Sequence, residues 1–306
     1  MKRINPVLLR GLRTRMRGIR ALILISVYLV VFTAIFILVY FASRGNLGYY
    51  GVSPRPAFIA SDMMGTLYTM LTVILFGMVA LMVPAMNAGA ISSEREKQTL
   101  DLLLCTPMSA RKIITGKLLS NLTFVIFLVI LSAPLFAIVY LFGGLSIPGI
   151  LRLFLFIMVS AYGCASVAIF FSSLVKRSSM ATILSYISLI LFVILTLVVG
   201  LIQINNYYNN FDYMNNPNGP ESYMPLILRI NPVVGLLQLS NMEVGSFMEG
   251  QGNAINLIHL FLPMDISDTG FQGPILSAAF ILVLSVILNI LSALSIKPVR
   301  KFQRKH

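Results

Sequence analysis

The charged side chains that could do chemistry in this sequence are concentrated in residues 92–117. Eight lie there, in a chain of 306 residues of which only 11% are charged. Basic residues alone would serve as a signal for membrane topology. They do not explain the carboxylates of Glu94, Glu96 and Asp101, which indicate docking to a partner.

Patterns typical of catalysis are not found in the sequence. There is no phosphate-binding G-x-x-x-x-G-K-[ST], no H-E-x-x-H and no G-x-S-x-G. Cys105 and Cys164 lack metal-ligand spacing, and His259 and His306 fall on opposite predicted sides of the membrane. We therefore expect no catalytic site, no metal site and no bound cofactor in this chain.

The composition predicts an all-α integral membrane protein. The chain is 58% hydrophobic, whereas a soluble domain carries about 25% charged residues. A run of about 20 apolar residues crosses about 30 Å of hydrocarbon as a helix. Six runs meet that length: 21–43, 66–91, 118–142, 149–175, 180–204 and 275–296.

Basic residues predict the orientation of these spans. Residues 2–20, 92–117, 176–177 and 297–305 hold seven, five, two and five of them, which is nineteen of the 23. The positive-inside rule then places both termini in the cytoplasm of a cell whose plasma membrane the protein spans. Because the net charge of +13 is clustered beside apolar runs, we expect a lipid bilayer and no nucleic acid as partner.

The N-terminal residues 4–20 predict an amphipathic helix that lies in the membrane interface. Asn5 can cap it, with Pro6 at the first helical position. A basic face suits anchoring to acidic lipid. The alternative is a basic cluster that serves topology only. The arginines of the basic face are Arg10, Arg13, Arg17 and Arg20.

Residues 92–117 predict a short amphipathic helix between spans two and three. Ser93 and Glu96 have the spacing of a capping box, which predicts a helix start. Leu100, Leu103 and Leu104 share one face. The segment then breaks at Thr106-Pro107, because the residue before proline disfavours helical geometry.

Residues 205–274 predict a long extracellular segment between spans five and six. Its stretch 225–239 is too short for a seventh span, since Arg229 and Pro232 interrupt it, and predicts an interfacial or re-entrant piece. Arg152, near the outer end of span four, is expected to snorkel towards the interface.

The run EREKQTLDLLLCTPMSARKIITGK resembles the cytoplasmic loop of ABC transporter permeases of the type-2 exporter class. The six spans, the basic N-terminal helix and the long outer loop extend this resemblance over nearly the whole chain. Gln98 stands where many relatives carry glycine, and we expect it to alter only local helix strength. Ile-Asn-Pro at 230–232 also resembles a short outer motif of the family. The matching loop residues are Glu94, Glu96, Thr99, Leu100, Leu102, Leu103, Thr106, Pro107, Arg111, Gly116 and Lys117.

The resemblance implies that residues 92–117 form the coupling helix of an exporter. In this family that helix docks on a cytoplasmic ABC ATPase subunit, which holds the ATP and Mg²⁺. A second copy of the permease, or a homologous permease, would complete the transport path. Leu104 joins the matching residues on the apolar docking face.

Two other classes of function remain open at this point. A secondary carrier or channel would transport without ATP, but such proteins usually place ionisable groups at mid-membrane, and no predicted span has one. A membrane scaffold or regulatory subunit would tolerate charge reversal at Glu94 or Glu96. An integral membrane enzyme is a more distant alternative.

Overall fold

The computed structural model describes residues 19–45, 56–99, 110–143, 146–210, 223–245 and 272–296. All regular secondary structure in these ranges is α-helical, as the sequence predicts. The helices are α1 Ile19–Gly45, α2 Pro56–Glu96, α3 Ala110–Gly143, α4 Ile147–Leu174, α5 Ser178–Asn209, α6 Leu226–Arg229, α7 Pro232–Gly245 and α8 Gln272–Ser295.

Five of the described helices, α2, α3, α4, α5 and α8, contain segments long and apolar enough to cross a membrane. Within α1, the fully described apolar segment is the shorter Ser26–Leu38. Several helices extend beyond the predicted spans: α2 begins at Pro56 and continues to Glu96, and α3 begins at Ala110. The extension through 92–96 is possible because no glycine or proline interrupts it.

Helix α4 lies at the centre of the bundle. Its apolar segment is 56% buried within the chain, against 17% for α5 and 22% for α8, which places α5 and α8 at the periphery. Ala161, Ala165 and Ala168 are fully buried along α4. Such small side chains let neighbouring helices approach closely in a membrane.

The segment 225–239 is folded into the bundle rather than laid on its surface. Residues 234–240 of α7 are all buried, so this stretch does not have the exposed face that an interfacial helix would need. The predicted outer loop 205–274 thus contains α6, α7 and the ends of α5 and α8. Residues 211–222 and 246–271 lie outside the described ranges.

Asn231 of the Ile-Asn-Pro motif starts helix α7 and ties it to α5. Its side-chain oxygen accepts a hydrogen bond from the Val233 N–H at 2.8 Å, and Pro232 occupies the first helical position, where its missing N–H costs nothing. The side-chain amide donates to the Thr196 hydroxyl at 2.7 Å and to the Val193 carbonyl at 3.1 Å. The motif therefore caps α7 and also binds α7 to α5.

An ion pair between a buried carboxylate and a partly exposed arginine fastens the other end of α7 to α4. The Arg152 guanidinium donates to one Glu243 carboxylate oxygen at 2.6 Å, and the Ser146 hydroxyl donates to the other at 2.6 Å. A Cβ atom at Gly149 would overlap this carboxylate. Arg152 thus binds a carboxylate inside the fold, a partner that the expectation of simple snorkelling did not include.

Candidate functional site at the charged helix ends

The C-terminal end of α2 is closed by a Schellman motif. The Thr99 N–H donates to the Glu94 carbonyl at 2.9 Å, and the Gln98 N–H donates to the Arg95 carbonyl at 3.2 Å. These two bonds define the motif, and its C′ residue adopts a left-handed conformation. That residue is Gln98, with φ of 57°. The glycine that many relatives carry here therefore suits a left-handed backbone conformation, and the expectation that Gln98 alters only local helix strength is wrong.

Replacing Gln98 with glycine is expected to stabilise the fold by about 1 kcal/mol, because a side chain in the left-handed region costs roughly 1–2 kcal/mol. The midpoint of SDS-induced unfolding in mixed micelles would measure it. The matched control is Lys97→Gly, which removes a side chain one residue earlier, where φ is not positive. We expect this control to be destabilising; equal effects of the two variants would contradict the assignment.

Glu94 joins the end of α2 to the beginning of α3. Its carboxylate lies 2.6 Å from the Lys117 ammonium, with the two side chains only 26% and 17% exposed. Lys117 also donates to the Ala90 carbonyl of α2. A half-buried ion pair of this kind is costly to break by removing one partner, since the remaining charge loses its compensation.

Arg95 and Glu96 join the same turn of α2 to two further helices. The Arg95 guanidinium donates to the Ser173 carbonyl at 3.0 Å, near the C-terminus of α4. Glu96 accepts from the Ser178 N–H at 3.1 Å and from its hydroxyl at 2.6 Å. The N-cap residue of α5, Arg177, makes no side-chain capping bond, so Glu96 supplies a cap and a favourable negative charge from another helix.

Three consecutive side chains of α2 therefore contact three different helices, α3, α4 and α5. We call this set, Glu94, Arg95 and Glu96, the acidic-basic triplet. One turn earlier, the Ser172 hydroxyl of α4 accepts from the Ile91 and Ser92 N–H groups at 2.9 and 3.0 Å. The end of α2 cannot shift without moving or breaking these contacts.

Two side-chain amides also link α2 with α3, about two turns before the triplet along α2. The Asn121 amide donates to the Asn87 side-chain oxygen at 2.6 Å, and Asn87 is 1% exposed. Asn289 of α8 similarly donates to Tyr162 and Ser166 of α4 at 3.0 Å each. Hydrogen bonds between polar side chains of neighbouring helices are a source of specific packing in membrane proteins.

The predicted capping box at Ser93 and Glu96 is wrong. Ser93 lies inside the last turns of α2, where its hydroxyl donates to the Gly89 carbonyl. No helix starts there, because α2 continues without a break to Glu96. The spacing matched a start signal by chance, and Glu96 caps α5 instead.

Some of the remaining predicted site residues lie within the described ranges, and the others lie outside them. Thr99 donates its hydroxyl to the Glu94 carbonyl at 3.3 Å, Gly116 is buried, and Arg111 is exposed at the beginning of α3. Arg20 belongs to α1, and its side chain is outside the description. The predicted residues outside the described ranges are Arg10, Arg13, Arg17, Leu100, Leu103, Leu104, Thr106 and Pro107.

The sequence reasoning missed Arg95, Ser172 and Ser178 as partners at this site. Arg95 entered only as a positive charge for topology, and the two serines carried no signal. One clue was available: the turn Lys176-Arg177 before α5 offers no side-chain acceptor for an N-cap. The acceptor that fills that position comes from 82 residues away along the chain.

Comparison with known proteins identifies the family of this chain. The family model described as "ABC-2 family transporter protein" matches residues 10–306. A comparison with curated proteins gives no match. Because the family model covers nearly the whole chain, including the triplet and every described helix, this protein belongs to the ABC-2 family of transporter permeases.

Proposed function

We propose that the chain is the permease subunit of an ATP-driven exporter whose residues 92–117 receive the movement of a separate ABC ATPase. One observation carries the proposal. The triplet, at the start of the segment that resembles a coupling helix, binds three other helices at once. A push on this segment from a docked ATPase would therefore reach α2, α3, α4 and α5 together.

The proposal includes the arrangement of the whole complex. Six spans, with α1 as the first, form half of a transporter in the cell membrane with both termini in the cytoplasm. A second permease, identical or homologous, completes the path, and ATP and Mg²⁺ bind to the ATPase subunits. Arg10, Arg13, Arg17 and Arg20 anchor the N-terminal segment 4–20 to acidic lipid.

The apolar docking face supplies a direct test. Replacing Leu103 with aspartate is expected to lower the amount of ATPase that co-purifies with the permease by about tenfold or more, because a charge is placed in a desolvated contact. Leu103 itself lies outside the described residues, so this expectation rests on the sequence pattern. The measurement is the ratio of ATPase to permease after solubilisation of the native complex.

Leu103→Met is the matched control, because it nearly conserves volume and apolar character. It should retain the ATPase, and both variants should reach the membrane in equal amounts. Co-purification of Leu103→Asp at the wild-type ratio would refute the docking face. Export that continues in vesicles without ATP would instead favour a carrier or channel.

A further inference from the structure

Pro84 lies inside α2, about three turns before that helix ends at Glu96. Proline has no backbone N–H, and inside a helix its ring clashes with the carbonyl four residues earlier. That carbonyl belongs to Ala80, so the turn 80–84 lacks one of its helical hydrogen bonds. Because sharp bends in helices usually occur at proline, this turn is where α2 can bend.

Tyr186 of α5 binds the turn that Pro84 weakens. Its hydroxyl donates to the Leu81 carbonyl, across 105 positions of the chain. In a membrane, backbone groups that a proline leaves exposed are satisfied by neighbouring helices. A tyrosine hydroxyl at this carbonyl therefore stabilises the weakened turn, and it ties the bend of α2 to the position of α5.

On the side of Pro84 that leads to the triplet, α2 packs closely on α4 and α5. One fully buried alanine from each of these helices meets the others there, namely Ala88, Ala168 and Ala181. A Cβ atom added to Gly89 would lie 4.0 Å from the Ser178 Cβ atom. Small side chains let membrane helices approach this closely. Together with the contacts of the triplet, this packing makes residues 85–96 one body with the adjoining ends of α4 and α5.

On the other side of Pro84, α2 belongs to a core of large side chains. Tyr68 contacts Phe136 of α3 edge to face, with ring centroids 6.0 Å apart, and Phe136 contacts Phe154 of α4 in the same way at 5.3 Å. Leu75 is fully buried in the same core. Densely packed cores of this kind resist displacement. Pro84 therefore separates a part of α2 that is held in the core from the part that carries the triplet.

We propose that Pro84 is a hinge in α2 and that the hydroxyl of Tyr186 is its latch. The hydrogen bond to the Leu81 carbonyl holds α2 at one bend, and its release lets the end that carries the triplet swing. One neutral hydrogen bond changes an equilibrium by about two- to tenfold, so this single bond breaks more easily than the several contacts of the triplet. The link to transport rests on the proposed coupling function, whereas the hinge and its latch do not.

A thermodynamic cycle on the full chain without the ATPase tests the latch. Tyr186→Phe removes the hydroxyl and keeps the ring, so it should raise the equilibrium constant of SDS-induced unfolding by about two- to tenfold. In a Pro84→Ala background the same change should have an effect smaller by about twofold or more, because alanine supplies the N–H that closes the turn onto Ala80.

Pro134→Ala, which removes the proline of α3, is the matched control for this cycle. Tyr186→Phe should keep its full effect in the Pro134→Ala background, because that proline lies in another helix. An effect of Tyr186→Phe that is absent from the wild type, or that is equal in the wild type and in the Pro84→Ala background, would overturn the latch.

Distances between spin labels test the hinge itself, in a chain whose two cysteines are replaced by alanine. One label is placed at Lys97, on the end that swings, and the other at Val27, on an exposed face of α1. A change of about 20° at a proline moves the end of an arm of about 20 Å sideways by about 7 Å. Tyr186→Phe should therefore broaden the distance distribution, and Pro84→Ala should make it narrow again.

The control pair is Val27 with Val73, which is exposed on α2 on the other side of Pro84. Its distance distribution should be the same in all variants. A distribution for the Lys97 pair that Tyr186→Phe leaves as narrow as in the wild type would overturn the hinge, and so would equal broadening of the Val73 pair.

Adding the co-purified ATPase and ATP to the labelled permease separates the hinge from its use in transport. A shift of the distance between Lys97 and Val27 that Pro84→Ala abolishes would support transmission through the hinge. If the distance does not shift, the link to the coupling function is wrong, and the hinge stands or falls by its behaviour without the ATPase.

Discussion

Replacing Arg152 with methionine is expected to destabilise the protein by about 3 kcal/mol. The Glu243 carboxylate is only 7% exposed and lies 2.6 Å from the guanidinium. Methionine keeps the apolar length of the side chain but leaves the buried carboxylate without its countercharge. Breaking a buried ion pair from one side typically costs about 3–5 kcal/mol, and we take the lower value because Arg152 is 40% exposed.

The double variant Arg152→Met/Glu243→Gln decides whether the loss comes from the pair. It removes both charges, so it should recover most of the stability that Arg152→Met loses. SDS-induced unfolding measures all variants, and Leu151→Met, on the exposed face of α4, should resemble the wild type. Losses that simply add in the double variant would show that the two residues are not coupled.

Reversing the charge at Glu94 is expected to lower ATP-driven export by about tenfold or more. Glu94→Lys places two ammonium groups at a contact that is mostly buried, which costs the α2–α3 junction about 1–3 kcal/mol. A factor of ten corresponds to about 1.4 kcal/mol. The loss should appear in coupling, since α2 would no longer be fixed to α3 at the point where the ATPase is proposed to act.

The charge-swapped variant Glu94→Lys/Lys117→Glu tests whether the ion pair itself is responsible. It restores the ion pair but not the bond from Lys117 to the Ala90 carbonyl, because a carboxylate cannot donate to it. We therefore expect partial recovery of export, measured in vesicles that also contain the ATPase. Lys97→Gln, at an exposed position of the same helix end, should have little effect.

Two results would contradict the coupling role of the Glu94–Lys117 pair. If Glu94→Lys lowers the amount of folded permease in the membrane as much as it lowers export, the pair is only structural. If the swapped variant exports no better than Glu94→Lys alone, the pair is not the relevant contact. If the protein were a scaffold subunit, Glu94→Lys would change neither the amount of folded permease nor export.

The features predictable from the sequence were those that depend on local composition. Apolar runs of sufficient length predicted a multi-span helical protein, and the loop 94–117 predicted the family, which the family model confirms. The helix cap at Asn231 is equally local, since Ile-Asn-Pro carries both the capping side chain and the proline that follows it. These properties involve residues a few positions apart.

The contacts of individual polar residues were decided by the tertiary structure alone. Glu96 binds Ser178, 82 residues away, and Arg152 binds Glu243, 91 residues away. Hydropathy marks both acids as polar without indicating which basic or hydroxyl group the fold brings to them. The predicted capping box failed because α2 continues without a break through Ser93 to Glu96, and Glu96 finds its partner on another helix.

Gln98 and Ser160 show the same limit from two sides. A glutamine in the sequence does not predict a left-handed backbone conformation. Only the Schellman motif at the C-terminal end of α2, in which Gln98 has a positive φ, explains why glycine suits position 98. A serine in an apolar helix normally bonds to its own backbone, and only the packing around α4 leaves the Ser160 hydroxyl buried without a hydrogen-bond partner. The sequence by itself determined the class of protein and the five described helices that are long and apolar enough to cross a membrane, because burial in lipid depends on composition. Which helices hold one another, and where a donor stays unpaired, depends on distances between segments remote in the chain.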